Sequence, residues 1–152
     1  MRLVLIPLTL LCLAAADKPD FTGHWKMDDA KSNFSPLPRP QEYERRIDHK
    51  DPIIHMSVHQ VSQVGEQTLN LNLRTDGQQT SNQSRTGEAK TVGKWVGRDL
   101  QLTTTREIEG GEAVTQETWS LSDDQKTLTS VTQMRTPRGA FEVKIVLNRA
   151  EP

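Results

Sequence analysis

Two arginines and a tyrosine sit where alternation predicts an apolar side chain. In Asp99–Ile108, Leu100 and Leu102 set a parity that continues through Thr104 to Arg106. In Glu42–His49 the same reading aligns Tyr43, Arg45 and Ile47. Side chains of equal parity share one face of a strand. A charge on the buried face is costly unless it meets an acid, water or an anionic ligand. Two readings follow. An inward arginine meets an anionic ligand, or the arginines reach solvent at an edge or pair with Glu44, Glu107 or Glu117 on a neighbouring strand.

Other chemistry is poorly represented. His55 and His59 share a parity, but their Cα atoms would lie roughly 13 Å apart at strand rise, too far to share one zinc ion. The parity of Ile54, Met56 and Val58 turns both histidines outward. His49 and His55 flank a turn, and His24 lies on the first strand. No metal site and no cofactor are expected. No Gly-x-Ser-x-Gly elbow, His-Glu-x-x-His or Walker loop is present. Asp28-Asp29 and Asp123-Asp124 read as cap and turn residues. No catalytic residues are selected, and the protein is read as a non-enzyme. Asn33-Phe34-Ser35 and Asn82-Gln83-Ser84 match the glycosylation acceptor pattern.

The elements that position these residues are strands. Runs rich in Thr, Val, Ile and Leu alternate with polar residues and are separated by turn chemistry. Ten are expected: Phe21–Asp28, Glu42–His49, Ile53–Val61, Gln67–Thr75, Gln78–Ser84, Ala89–Val96, Asp99–Ile108, Ala113–Leu121, Thr127–Arg135 and Ala140–Asn148. Lys50-Asp51-Pro52, Asp76-Gly77, Gly110-Gly111 and Pro137-Arg138-Gly139 supply tight reversals between them. The short spacing predicts an all-β, up-and-down antiparallel barrel rather than a Greek-key sandwich. One segment differs. Asp28–Gln41 opens with a candidate helical turn and continues through Pro36, Pro38 and Pro40, so it is expected to close one end of the sheet as a short helix or loop.

Composition narrows the class. Thirteen of the first 16 residues are apolar, against about 28% of the remaining 136. Met1-Arg2, the apolar run Leu3–Leu13 and Ala14-Ala15-Ala16 form a signal-peptide pattern, with cleavage expected near Ala16 and a single domain over 17–152. The run is short for a membrane span. Cys12, the only cysteine, lies within it, with Leu11 where a lipidation signal resembling the bacterial lipobox has a small residue. The mature chain therefore has no disulfide and no thiol chemistry. The expected location is secreted or periplasmic. A net charge of −1 with mixed signs argues against nucleic acid and against a polybasic membrane surface. No integral membrane span is expected, and a monomer is.

The first strand carries Phe21-Thr22-Gly23-His24-Trp25-Lys26. Gly-x-Trp in this position resembles the signature of the calycins, which include lipocalins and fatty-acid-binding proteins. Residues 20–148 also resemble small exported lipocalin-like proteins of bacteria. The likeness rests on this opening, on Ala30-Lys31-Ser32, on the proline-rich stretch and on Trp119-Ser120-Leu121-Ser122. The chain departs from typical lipocalins in its size, its missing disulfide and the lack of a long terminal helix. The resemblance implies that Trp25 packs across a closed barrel end, beside Gly23, under a basic residue such as Arg149 or Lys144. It also implies that inward Arg and Tyr side chains hold a ligand carboxylate, a role that falls to Arg106, Arg45 and Tyr43. The expected function is non-catalytic binding of a small amphiphilic ligand, polar or acidic. The alternative is a cell-envelope protein-interaction module whose barrel is filled by its own side chains.

Overall fold

Glycine- and proline-bearing reversals cut the chain into short strands, and each strand after the first, except the fifth, pairs with the one before it. The computed structural model describes residues 17–84 and 86–151. The leader, Cys12 and the cleavage site lie outside them. The strands are β1 (Gly23–Met27), β2 (Glu42–Lys50), β3 (Ile53–Ser62), β4 (Gly65–Arg74) and β5 (Asp76–Ser84). They continue as β6 (Gly87–Val96), β7 (Asp99–Ile108), β8 (Gly111–Leu121), β9 (Thr127–Thr136) and β10 (Gly139–Arg149). All ten expected strands are present, and β1 is shorter at both ends.

The ten form one antiparallel sheet in the order β4-β3-β2-β1-β10-β9-β8-β7-β6-β5. The sheet curls because β1 and β10, from opposite ends of the chain, pair through Trp25↔Arg149, Lys26↔Asn148 and Met27↔Leu147. The two outermost strands, β4 and β5, then face each other without a backbone ladder. Asn82 bridges this seam. Its Oδ1 accepts from the Asn72 N–H at 2.8 Å, and its Nδ2 donates to the Asn72 carbonyl at 3.0 Å. One side-chain amide thus stands in for a ladder pair, and the barrel is nearly closed. Asn82 is buried with its amide fully engaged, which removes it as a glycan acceptor.

One face of every strand lines the interior. Trp25, Ile47, Ile54, Met56, Leu73, Leu100, Leu102, Trp119, Leu128, Val143, Ile145 and Leu147 form a single buried cluster. Each such side chain contributes about 1.5–3 kcal/mol by leaving water. The cluster is densest at one end. There Trp25 is fully buried and donates its indole N–H to the Phe21 carbonyl at 2.9 Å. Phe21 stacks on His49 and Trp95 and meets Trp119 edge-on. The Arg149 guanidinium covers the Trp25 ring at 4.2 Å, a cation–π contact. Its Nη1 donates to the Thr22 carbonyl at 2.6 Å and its Nε to the Gln125 carbonyl at 2.9 Å. Lys144 is exposed on the outer face.

The segment after β1 contains turns and no helix. Its backbone instead takes the place of the short β1 beside β10. The Asp28 N–H donates to the Val146 carbonyl at 2.8 Å, and Asn33 exchanges two bonds with Lys144 at 2.7 and 2.9 Å. Those partners satisfy β10 backbone groups that the short β1 leaves unpaired. Three prolines then prevent regular structure up to Pro40. Phe34 is anchored in the core cluster.

Candidate functional site

Alternation on β2 turns Tyr43, Arg45, Ile47 and His49 to the inside. On β8 it does the same for Ala113, Thr115, Glu117, Trp119 and Leu121. Strands β2 and β8 are separated by β1, β10 and β9, so a contact between them crosses the interior. Arg45 and Glu117 make that contact. Arg45 Nη1 donates to Glu117 Oε1 at 2.9 Å. Arg45 Nε donates to the Tyr43 hydroxyl oxygen at 2.9 Å, and Nη2 donates to Ser130 Oγ at 3.4 Å. The guanidinium lies over the rings of Trp119 and Tyr43, at 5.4 and 5.5 Å.

Glu117 is held as tightly. Its Oε1 also accepts from Ser130 Oγ and from Trp119 Nε1, each at 2.6 Å. Three donors therefore converge on one carboxylate oxygen. Among the described residues, none reaches Oε2. Burial pushes the Glu117 carboxyl pKa up, but the Arg45 charge and the hydrogen bonds from Ser130, Trp119 and Arg45 outweigh it and hold the group below its ordinary value. Burial also works against the Arg45 cation, yet Tyr43 and Glu117 keep it firmly protonated. Burial raises the Tyr43 phenol above its usual pKa, so it stays neutral.

Arg106 lies on the inner face of β7, between Ala89 of β6 and Ala113 of β8 in register. Two alanines as neighbours leave it room. Its Nε is buried without a hydrogen-bond partner. Among the described residues no carboxylate pairs with it. Thr91 and Thr104 lie one inward step away and share a hydroxyl hydrogen bond of 2.8 Å.

The interior retains surface that solvent can reach. Val58, Leu69, Leu71, Thr115, Thr132, Met134 and Phe141 face inward but are only half-buried. The Glu117 side chain keeps 20% of its surface accessible, whereas Arg45 keeps 4%. This inner surface is distinct from a depression of about 610 Å³ on the outer face over Lys90, Val92, Thr103 and Thr105.

The three residues singled out in the sequence are thus divided. Arg45 and Tyr43 belong to one network with Glu117, while Arg106 stands apart from it. Sequence reasoning named Glu117 only as one of several partners and did not find Ser130 or Trp119 in this role. Parity was the available signal, since an inward Trp119 requires an inward Glu117 two residues earlier. The histidines do not converge. His24 bonds Glu44 at 2.8 Å, His55 bonds Asn72, His59 bonds Thr68, and His49 is buried in the aromatic end. Among the described residues no three His, Cys, Asp or Glu side chains gather to hold a metal ion.

No protein-family model matches this chain. No curated protein matches it in sequence either. Solved structures do match in shape. A zebrafish ileal bile acid-binding protein complexed with cholic acid is 12% identical, with a TM-score of 0.63, covering 86% of this chain and 98% of that one. A secretory abundant heat soluble protein from Ramazzottius varieornatus is 13% identical, with a TM-score of 0.66, covering 90% of this chain and 100% of that one. A fatty acid-binding protein from the brain of Drosophila melanogaster is 12% identical, with a TM-score of 0.56, covering 85% of this chain and 99% of that one. At these identities the likeness speaks for architecture, and this chain has the ten-stranded, nearly closed antiparallel barrel of the fatty-acid- and bile-acid-binding proteins.

Proposed function

We propose that this protein is an exported barrel that binds a small amphiphile in its interior and releases it chemically unchanged. The observation that carries the reading is Arg106, an inward arginine with a buried, unpartnered Nε among the described residues. A buried N–H without an acceptor is costly, and an anionic ligand group would supply the acceptor. Half-buried Val58, Leu69, Leu71 and Phe141 offer apolar surface for the rest of the ligand. Arg45 and Tyr43 serve the site by fixing Glu117 rather than by receiving an acid themselves. Two structural neighbours are a bile acid-binding and a fatty acid-binding protein, which agrees with this reading. Export is supported by the Leu3–Ala16 leader pattern.

The test is a ligand titration of lipid-stripped protein with a fluorescent fatty acid. Saturable binding, displaced by unlabelled laurate, is expected. Arg106→Ala is expected to weaken laurate binding by about tenfold, the scale of a lost hydrogen bond to a charged group, with the thermal midpoint unchanged. Absence of any saturable binding would overturn the carrier reading. Equal affinity in the wild type and the variant would remove Arg106 from the site.

A further inference from the structure

The interior network has a direction. Arg45 Nη1, Ser130 Oγ and Trp119 Nε1 all donate to Glu117 Oε1. The second oxygen, Oε2, belongs to an ionised carboxylate, takes no bond from any described residue, and sits on a side chain that keeps accessible surface. It is an acceptor without a donor. Arg45 balances the charge of the carboxylate, but its bonds go to Tyr43, Ser130 and Oε1 and none goes to Oε2. Arg106 is the reverse case, a donor without an acceptor.

The two lie on the same inner wall at different depths. Glu117 is in register with Leu102 on β7, and Arg106 is four residues further along that strand, about 13 Å at strand rise. Between these levels the wall carries Thr104 and Thr115, paired in register, and Met134 opposite Thr115. Glu117 is on the side of Leu100 and Trp119, toward the packed aromatic end. Arg106 is on the side of Ile108 and Gly111, away from it.

We infer that the interior selects an amphiphile that is polar at both ends, with an anionic group on Arg106 and a hydroxyl or ammonium donor on Glu117 Oε2. This rests on the carrier reading and narrows it. A plain fatty acid fills only one pole and leaves Oε2 buried beneath an alkyl terminus, which forfeits the hydration of a charged group. A ligand that places its carboxylate deep would set two negative charges against each other.

Three displacement curves on the wild-type, lipid-stripped protein decide the matter, using laurate, ω-hydroxylaurate and ω-methoxylaurate. The hydroxyl derivative is expected to bind about tenfold more tightly than the other two, the scale of one hydrogen bond to a charged acceptor. The methoxy compound matches its size but has no donor, so the contrast reads hydrogen bonding rather than length. In Glu117→Gln, the three donors keep the side-chain oxygen at the Oε1 position and turn the amide NH₂ toward the ligand. The preference for the hydroxyl over the methoxy compound should then shrink to parity or reverse. If that variant does not fold, the wild-type comparison stands alone. Equal binding of all three by the wild type overturns the two-pole inference and leaves the carrier reading intact. Displacement by none of them overturns both.

Discussion

At Gly23 two constraints coincide. Its φ of +153° lies outside the range comfortable for other residues, and an added Cβ would meet the Arg149 guanidinium. That guanidinium cannot retreat without giving up the Thr22 and Gln125 carbonyls and the Trp25 ring. Gly23→Ala is therefore expected to cost about 1–3 kcal/mol, as overpacked sites do, measured by urea denaturation. Trp25→Ala should cost about 3–5 kcal/mol, the range for a deleted core aromatic. Glu117 supplies a pH signature. Its folded-state pKa is lower than its unfolded one, so its stabilising contribution is full above the ordinary carboxylate value of about 4.3 and fades as pH falls through the folded value. The wild type should lose stability more steeply than Glu117→Gln as pH falls below that value, in denaturation series at fixed salt. A variant curve as steep as the wild type would show that the carboxylate is not coupled to folding. The inward direction of Arg45, Tyr43 and Arg106 was legible from their apolar neighbours two residues away. What separates Arg45 from Arg106 was not, because it depends on Glu117 crossing the lumen from a strand more than seventy positions later.

The most exposed weakness among the elements is the seam between β4 and β5. Asn82 holds it through both the N–H and the carbonyl of Asn72. In Asn82→Ala both groups lose their partner, with an expected cost of about 1–3 kcal/mol and faster hydrogen exchange at the Asn72 amide. Unchanged exchange there would mean that the seam does not depend on the side chain. The strands themselves were readable because turn residues and period-two alternation agree. The seam was not, since β4 and β5 follow each other in sequence and read like any other hairpin. Only the curling of the whole sheet, through β1 on β10, leaves those two as outermost neighbours. The segment after β1 admits a short helix or a loop in the sequence, and the loop prevails for a related reason. Its local pattern admits a turn of helix, but unpaired groups on β10 offer its backbone a better set of partners, and tertiary pairing overrides local preference.

Across the whole molecule, apolar packing is graded. Phe21, Trp25, Leu100, Trp119, Leu128 and Leu147 are fully buried, and all lie on the side of Trp95 and His49. The inner wall around Thr104, Arg106, Thr115 and Met134 is more polar and only partly covered. Local opening is easiest where apolar contacts are fewest. Hydrogen exchange should therefore be slowest where β1, β10 and β9 meet beneath Trp25 and fastest at the turn joining β7 to β8, beyond Arg106. Uniform protection would contradict the gradient. A half-polar lumen was foreshadowed by the thin apolar content after residue 16, whereas the gathering of Phe21, Trp25, Trp95 and Trp119 at one end was not, since it follows from how the strands stagger.

The joining of β1 to β10 sets the Ala150 amide on the His24 carbonyl at 2.8 Å, so the first and last strands finish side by side. The link at Thr75, in contrast, joins β4 to β5, two strands that share no ladder. A short tether from the end of β10 to the start of β1, with new ends opened between Thr75 and Asp76, would yield a circular permutant whose terminal strands are β5 and β4. Every ladder of the barrel would survive that rearrangement, and the connection that now fastens the seam would become a free pair of tails.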